Sequence, residues 1–117
     1  MEFDHAPFGV IGVETLLPVA YTELCLRHRL PLSQVLEKMT VNPARVLGLY
    51  KEWGSLEAGK RADVVAFDVE RARRIDARRF QSKSRNTPFD GREVHGTPVH
   101  VVVGGRPVVV DGVLQTA

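Results

Sequence analysis

Few side chains in this sequence have the types and spacing that chemistry requires. Four histidines are present, His5, His28, His95 and His100. No two of them form a His-x-His pair and none lies four residues from another, so a metal-ligand spacing is absent. His28 closes a predicted helix, where a cation complements the helix dipole. His100 alternates along a predicted strand, and both residues read as structural. Cys25 has no histidine near it in sequence to activate its thiol, and reads as an inert buried group. The sequence holds no Gly-x-Ser-x-Gly, no phosphate-binding loop and no Gly-x-Gly-x-x-Gly.

Two segments and one charged stretch carry more information. Ala6 to Thr15 (APFGVIGVET) is glycine-containing backbone that runs into a helix start. Free N–H groups at such a turn suit a carboxylate or another anion. Ser82 to Gly91 (SKSRNTPFDG) is a polar loop bounded by proline and glycine. Arg71 to Arg85 holds seven basic residues against the single acid Asp76. That patch could contact phosphate, RNA or an acidic surface, but Phe80 is its only aromatic, so a stacking platform for nucleic acid is missing. A solvated basic face is the reading the residues favour.

The elements that would position these residues follow from periodicity. The chain has 117 residues, enough for one small domain and too few for two comfortable cores. Its hydrophobic content of 44% and charged content of 26% are those of a globular protein. With one cysteine and no long apolar run or leader pattern, the chain reads as soluble and cytoplasmic, without a membrane partner. Val13, Leu16, Leu17, Ala20 and Leu24 recur at helical steps and predict a helix from Glu14 to His28, with Pro18 tolerated in its first turn. A second helix is predicted from Pro31 to Thr40. A short third one runs from Pro43 to Leu47, capped by Asn42 and stopped by Gly48.

Beyond Trp53-Gly54 the period changes. Ala62 to Phe67 predicts a buried strand, and two valine-rich strands flank Gly104-Gly105 as a tight hairpin. Pro107 predicts an edge in the second of these. Residues 71–97 read as irregular, with one short helix after Asp76. The pattern does not close on itself: Val64-Val65 and Val101 to Val103 are apolar on both faces, and such strands need cover on both sides. Either the chain is a compact α+β domain, or part of the cover of its sheet lies outside it.

The order APFGVIGVETLLP, TVNPARVLGL, GSLEAGKRADVVAFD, SKSRNTPFDGR and VVVGGRPVV closely resembles the C-terminal part of the bacterial dihydroorotases, a family of the amidohydrolase superfamily. NPARVLGL and EAGKRADVVAFD mark the superfamily, whereas APFGVIGVET with SKSRNTPFDGR marks the narrower family. The resemblance implies an α+β fragment. Residues 1–50 would be the last helices of an incomplete (β/α)₈ barrel, and residues 51–117 the C-terminal strands and loop of a small composite β-domain.

The resemblance also implies a reaction, the reversible cyclisation of N-carbamoyl-L-aspartate to L-dihydroorotate in pyrimidine synthesis. Zinc would be held in the intact family enzyme by histidines, an Asp and a carboxylated Lys outside this chain. No catalytic residue and no metal ligand are expected here, and the 117 residues are expected to be inactive alone. Asp4-His5-Ala6-Pro7 is similar to a catalytic Asp-His-Ala-Pro-His segment of the family. Phe8 follows Pro7 directly, however, so the register is that of the later Ala-Pro-Phe-Gly motif and His5 is a variable position. In that register Phe8 and Gly9 are the expected substrate contacts, made through their main chain. The partners implied are the small-molecule substrate, the remainder of the barrel, and either a second copy or aspartate transcarbamoylase. In the alternative reading the chain is a non-catalytic scaffold for that transcarbamoylase.

Overall fold

The computed structural model describes Asp4, Ala6 and residues 8–116, and His5 lies outside the described residues. A helical run opens the fold as α1 (Leu16–Ala20) and continues without a break into a π-helix (Tyr21–Arg27). Pro18 is buried in the first turn, where its missing N–H removes no intrahelical bond. The widening to π geometry was not legible in the spacing, which fits either winding over so few turns. Its signature is the His28 N–H donating to the Glu23 carbonyl at 3.0 Å, five residues back.

Helix α2 (Leu32–Met39) and helix α3 (Val41–Val46) follow. Val35 of α2 is buried, with Leu32, Leu36 and Met39 half-buried beside it, which is the predicted apolar face. The cap of α3 differs from expectation. Thr40 occupies it rather than Asn42, with Pro43 inside the first turn, and the Thr40 hydroxyl donates back to the Leu36 carbonyl at 2.6 Å. The predicted stop is present. Gly48 takes φ +72°, its N–H donates to the Arg45 carbonyl at 3.0 Å, and the Leu49 N–H donates to the Ala44 carbonyl at 2.7 Å. This paired arrangement satisfies the last free carbonyls of the helix.

The strands form a four-stranded antiparallel sheet in the order β1 (Val64–Asp68), β4 (Thr97–Val103), β5 (Arg106–Val110), β6 (Val113–Leu114). A separate two-stranded ladder joins β2 (Arg73–Arg74) to β3 (Glu93–Val94), and a 3₁₀ turn at Ala77–Arg79 follows Asp76. The hairpin between β4 and β5 turns on Gly104 at φ +56° and Gly105 at φ +80°, the twin positive angles of a primed turn.

Pro107 does not lie on an edge strand, because β6 pairs with the far side of β5. That pairing covers Val109 and Val110, and the Gln115 N–H reaches the Val108 carbonyl at 2.8 Å, so the side of β5 away from β4 is unpaired at Pro107 itself. The β4–β5 register shifts between Val101 and Val102, next to Pro107, and the β1–β4 register shifts between Ala66 and Phe67, opposite Pro98. A residue without an N–H cannot continue a ladder, and both shifts fall where a proline meets the partner strand.

The interior is small. Val35, Ala44, Ile75, Ala77 and Val94 form its buried core among the described residues, beside the buried Pro18. Val65, Val103, Val113 and Leu114 are each close to half exposed or more on the sheet. The radius of gyration is 15.8 Å, against about 13 Å for a compact domain of this length. The sheet is therefore uncovered over much of its surface, one of the two outcomes that doubly apolar strands allow. No helix among the described residues is long and apolar enough to cross a membrane.

Candidate functional site

The two segments singled out by their composition come together. The Ile11 N–H donates to the Asn86 carbonyl at 2.9 Å, and the Asn86 side-chain Nδ2 donates to the Gly9 carbonyl. A few residues on, the Glu14 carboxylate receives the Gln81 N–H at 3.2 Å on Oε2 and the Ser82 N–H at 2.9 Å on Oε1. The turn before α1 is thus tied to the polar loop at two points, separated by some 70 residues of chain.

Local features shape both partners. Thr15 is buried, and its N–H and hydroxyl both reach the Gly12 carbonyl, at 3.2 and 3.3 Å, which folds the glycine segment onto the helix start. The Arg85 guanidinium donates to the Ser82 carbonyl and, at 3.0 Å, to the Ser84 carbonyl, which curls the polar loop. The Asp90 carboxylate accepts the Ala77 N–H at 2.8 Å and anchors the loop's far end to the 3₁₀ turn. A shallow cavity of about 240 Å³ opens at the join, lined in part by Ile11, Gly12, Glu14, Phe80 and Ser82.

Phe8 and Gly9 stand at the outer end of this join, both exposed. A Cβ added at Gly9 would meet nothing within 4 Å, so packing within this chain does not demand the glycine. Of the amides expected to be free for an anion, those of Ile11 and Thr15 are already taken, by Asn86 and Gly12. Glu14 and Asn86 were not foreseen as organisers of the site. The signal available was the presence of both polar motifs, but no local period connects positions so far apart.

The remaining titratable groups lie elsewhere. His28 ends the helical run, exposed. The His95 ring donates from Nδ1 to the Val69 carbonyl at 3.2 Å. His100 on β4 receives the Asp111 N–H at 3.3 Å on Nδ1, and its Nε2 lies 3.5 Å from the Asp111 carboxylate. Cys25 is half-buried rather than fully buried, and desolvation pushes its thiol above the ordinary range, away from the reactive thiolate. Among the described residues, no three His, Cys, Asp or Glu side chains gather to hold a metal ion. The basic stretch is partly spent on its own structure: Arg78 forms a two-point pair with Asp76 at 2.9 Å, and Arg74 donates to the Gly91 carbonyl at 2.7 Å.

Residues 6–108 match the family model described as the amidohydrolase family. The chain belongs to the amidohydrolase family. The dihydroorotase of Pelotomaculum thermopropionicum is 46% identical over 115 residues, 98% of this chain and 26% of that protein. The dihydroorotase of Ruminiclostridium cellulolyticum is 41% identical over 114 residues, with the same coverage of its own length. Among solved amidohydrolase-type structures, the L-hydantoinase of Arthrobacter aurescens superposes with a TM-score of 0.86 at 35% identity, over 92% of this chain and 24% of that one. The D-hydantoinase of a Thermus species gives a TM-score of 0.90 at 26% identity, over 98% of this chain and 25% of that one. The chain therefore spans about a quarter of the length of the relatives it matches. The scaffold reading draws no support from these relatives, whose names are those of enzymes.

Proposed function

We propose that this amidohydrolase chain works as the C-terminal portion of a dihydroorotase, an enzyme that reversibly cyclises N-carbamoyl-L-aspartate to L-dihydroorotate. The observation that carries this reading is 46% identity to a dihydroorotase along 98% of the chain. In it, residues 1–50 supply the last helices of a (β/α)₈ barrel and residues 51–117 supply strands of a composite β-domain. The half-exposed valines of the sheet support this division, since strands apolar on both faces call for cover. The remainder of the barrel is then the chain's structural partner, and the cytoplasm its place of work.

Within that enzyme Phe8 and Gly9 meet the substrate through their main chain. The open space around Gly9 supports this, because a residue with no side chain lets a ligand approach its backbone. Zinc belongs to the whole enzyme in this reading. The described side chains of this chain do not fit a metal ion, so their contribution is to bind and orient.

The test compares the 117-residue chain with a full-length enzyme that carries this segment, each given dihydroorotate and a 5-substituted hydantoin. Turnover of dihydroorotate by the full-length enzyme, silence from the chain alone and a raised KM in Gly9→Val are the expected results. A full-length enzyme that opened the hydantoin and left dihydroorotate untouched would overturn the proposal in favour of a hydantoinase.

A further inference from the structure

We propose that Asn86 is a positioning residue for the substrate pocket, holding the Phe8–Gly9 main chain in the orientation that meets the ligand. The inference rests on the reading of Phe8 and Gly9 as substrate contacts and extends it to a residue 77 positions away. A pocket wall made of main chain can recognise a ligand only if its peptide planes are already set, because an unrestrained backbone loses affinity to the ordering it must undergo on binding. Residues 8–12 belong to no helix or strand and are largely exposed, so their own secondary structure does not restrain them.

Asn86 supplies the restraint from both of its amides. Its side-chain Nδ2 donates to the Gly9 carbonyl, while its main-chain carbonyl accepts the Ile11 N–H at 2.9 Å. One residue thereby brackets the stretch from Gly9 to Ile11 with a donor at one end and an acceptor at the other. The side-chain bond needs a donor at this position to reach the Gly9 carbonyl. An aspartate has the same shape but nothing to donate. The loop that presents Asn86 is itself fixed, by the Glu14 carboxylate on the Gln81 and Ser82 amides and by Arg85 on the Ser82 and Ser84 carbonyls. Glu14 and Arg85 thus set where Asn86 stands, and Asn86 sets where Gly9 stands.

The side-chain bond can be removed without the main-chain one, which makes the role separable from folding. In a full-length enzyme that carries this segment, Asn86→Ala is expected to raise KM for dihydroorotate about tenfold, the loss of one hydrogen bond, with kcat changed by no more than about twofold. Asn86→Gln keeps the donor and should recover part of the KM. If Asn86→Ala is poorly folded, the isosteric Asn86→Asp takes its place, with the same expectation. A KM unchanged in these variants while Gly9→Val raises it would overturn the role of Asn86 and leave the pocket reading intact. A KM unmoved by Gly9→Val would remove the pocket reading, and the role of Asn86 with it. A lower melting temperature with KM unchanged would make Asn86 a structural residue only.

Discussion

Glu14 and Ser82 lie 68 positions apart, and the carboxylate of the first accepts the main-chain N–H of the second at 2.9 Å. The neighbouring amide of Gln81 completes a two-point grip by a single side chain on a bend of the polar loop. A charged acceptor makes such bonds stronger than neutral ones. Through this contact the start of α1 is tied to the polar loop, beside the exposed Phe8–Gly9 segment.

Replacing Glu14 should therefore loosen the loop more than the helix. We expect Glu14→Ala to destabilise a full-length enzyme that carries this segment by about 1–3 kcal/mol, since two backbone donors lose a charged acceptor. Hydrogen exchange localises the effect. The amides of Gln81 and Ser82 should exchange faster, while that of Val35, in α2, stays protected.

Gly54 sits where the helices meet the loop that leads into the sheet. Its φ is +96°, and an added Cβ would fall 2.9 Å from the Val41 Cα, 3.0 Å from the Ala44 Cβ and 3.2 Å from the Thr40 carbonyl oxygen. Gly59 has a similar φ of +91° but nothing within 4 Å of that position. Alanine at 59 should cost about 1 kcal/mol from backbone strain alone. Alanine at 54 should cost about 2–4 kcal/mol, because strain and overlap add. The difference between the two melting temperatures isolates the steric part.

The sheet's exposed valines predict how the chain behaves by itself. Val65, Val103 and Val113 are 47%, 48% and 61% exposed. Apolar patches of this kind drive association. The isolated chain should bind a hydrophobic dye and elute from a sizing column as oligomers. The triple variant Val65→Thr, Val103→Thr, Val113→Thr should reduce both effects. A monomer that unfolds cooperatively and binds no dye would show that residues 1–117 need no further cover.

Asp68 ends β1 and carries a pH dependence whose sign follows from its partners. Its carboxyl is held below the usual range, first by the Glu70 N–H and then by the Arg71 N–H, with Arg71 and Arg73 adding attraction. The folded value is thus lower than the unfolded one. The stabilisation is fully present above the unfolded value of about 4 and is lost as pH falls below it. Acid titration followed at the Glu70 and Arg71 amides should show this turn loosening below about pH 4. Asp68→Asn should abolish that dependence.

Much of the architecture was legible in the sequence because it rests on local rules. Apolar spacing located the second helix, Gly48 marked the end of the third, and Gly104-Gly105 set the hairpin, each through backbone angles that neighbouring residues impose on one another. The doubly apolar strands made an uncovered sheet one of two open readings for the same reason, since the alternation of side chains along a strand is a local property. The π winding of residues 21–27, the cap at Thr40 and the short ladder of β2 with β3 were hidden, because each depends on geometry that several residue choices satisfy equally. The candidate site lay furthest from view. Its two halves were each recognisable as polar, glycine-bounded segments, but a hydrogen bond from Asn86 to Gly9 has no trace in local periodicity. Only the folded chain, by laying the polar loop against the start of α1, decides that Glu14 grips the Gln81–Ser82 backbone and Asn86 the Gly9–Ile11 backbone.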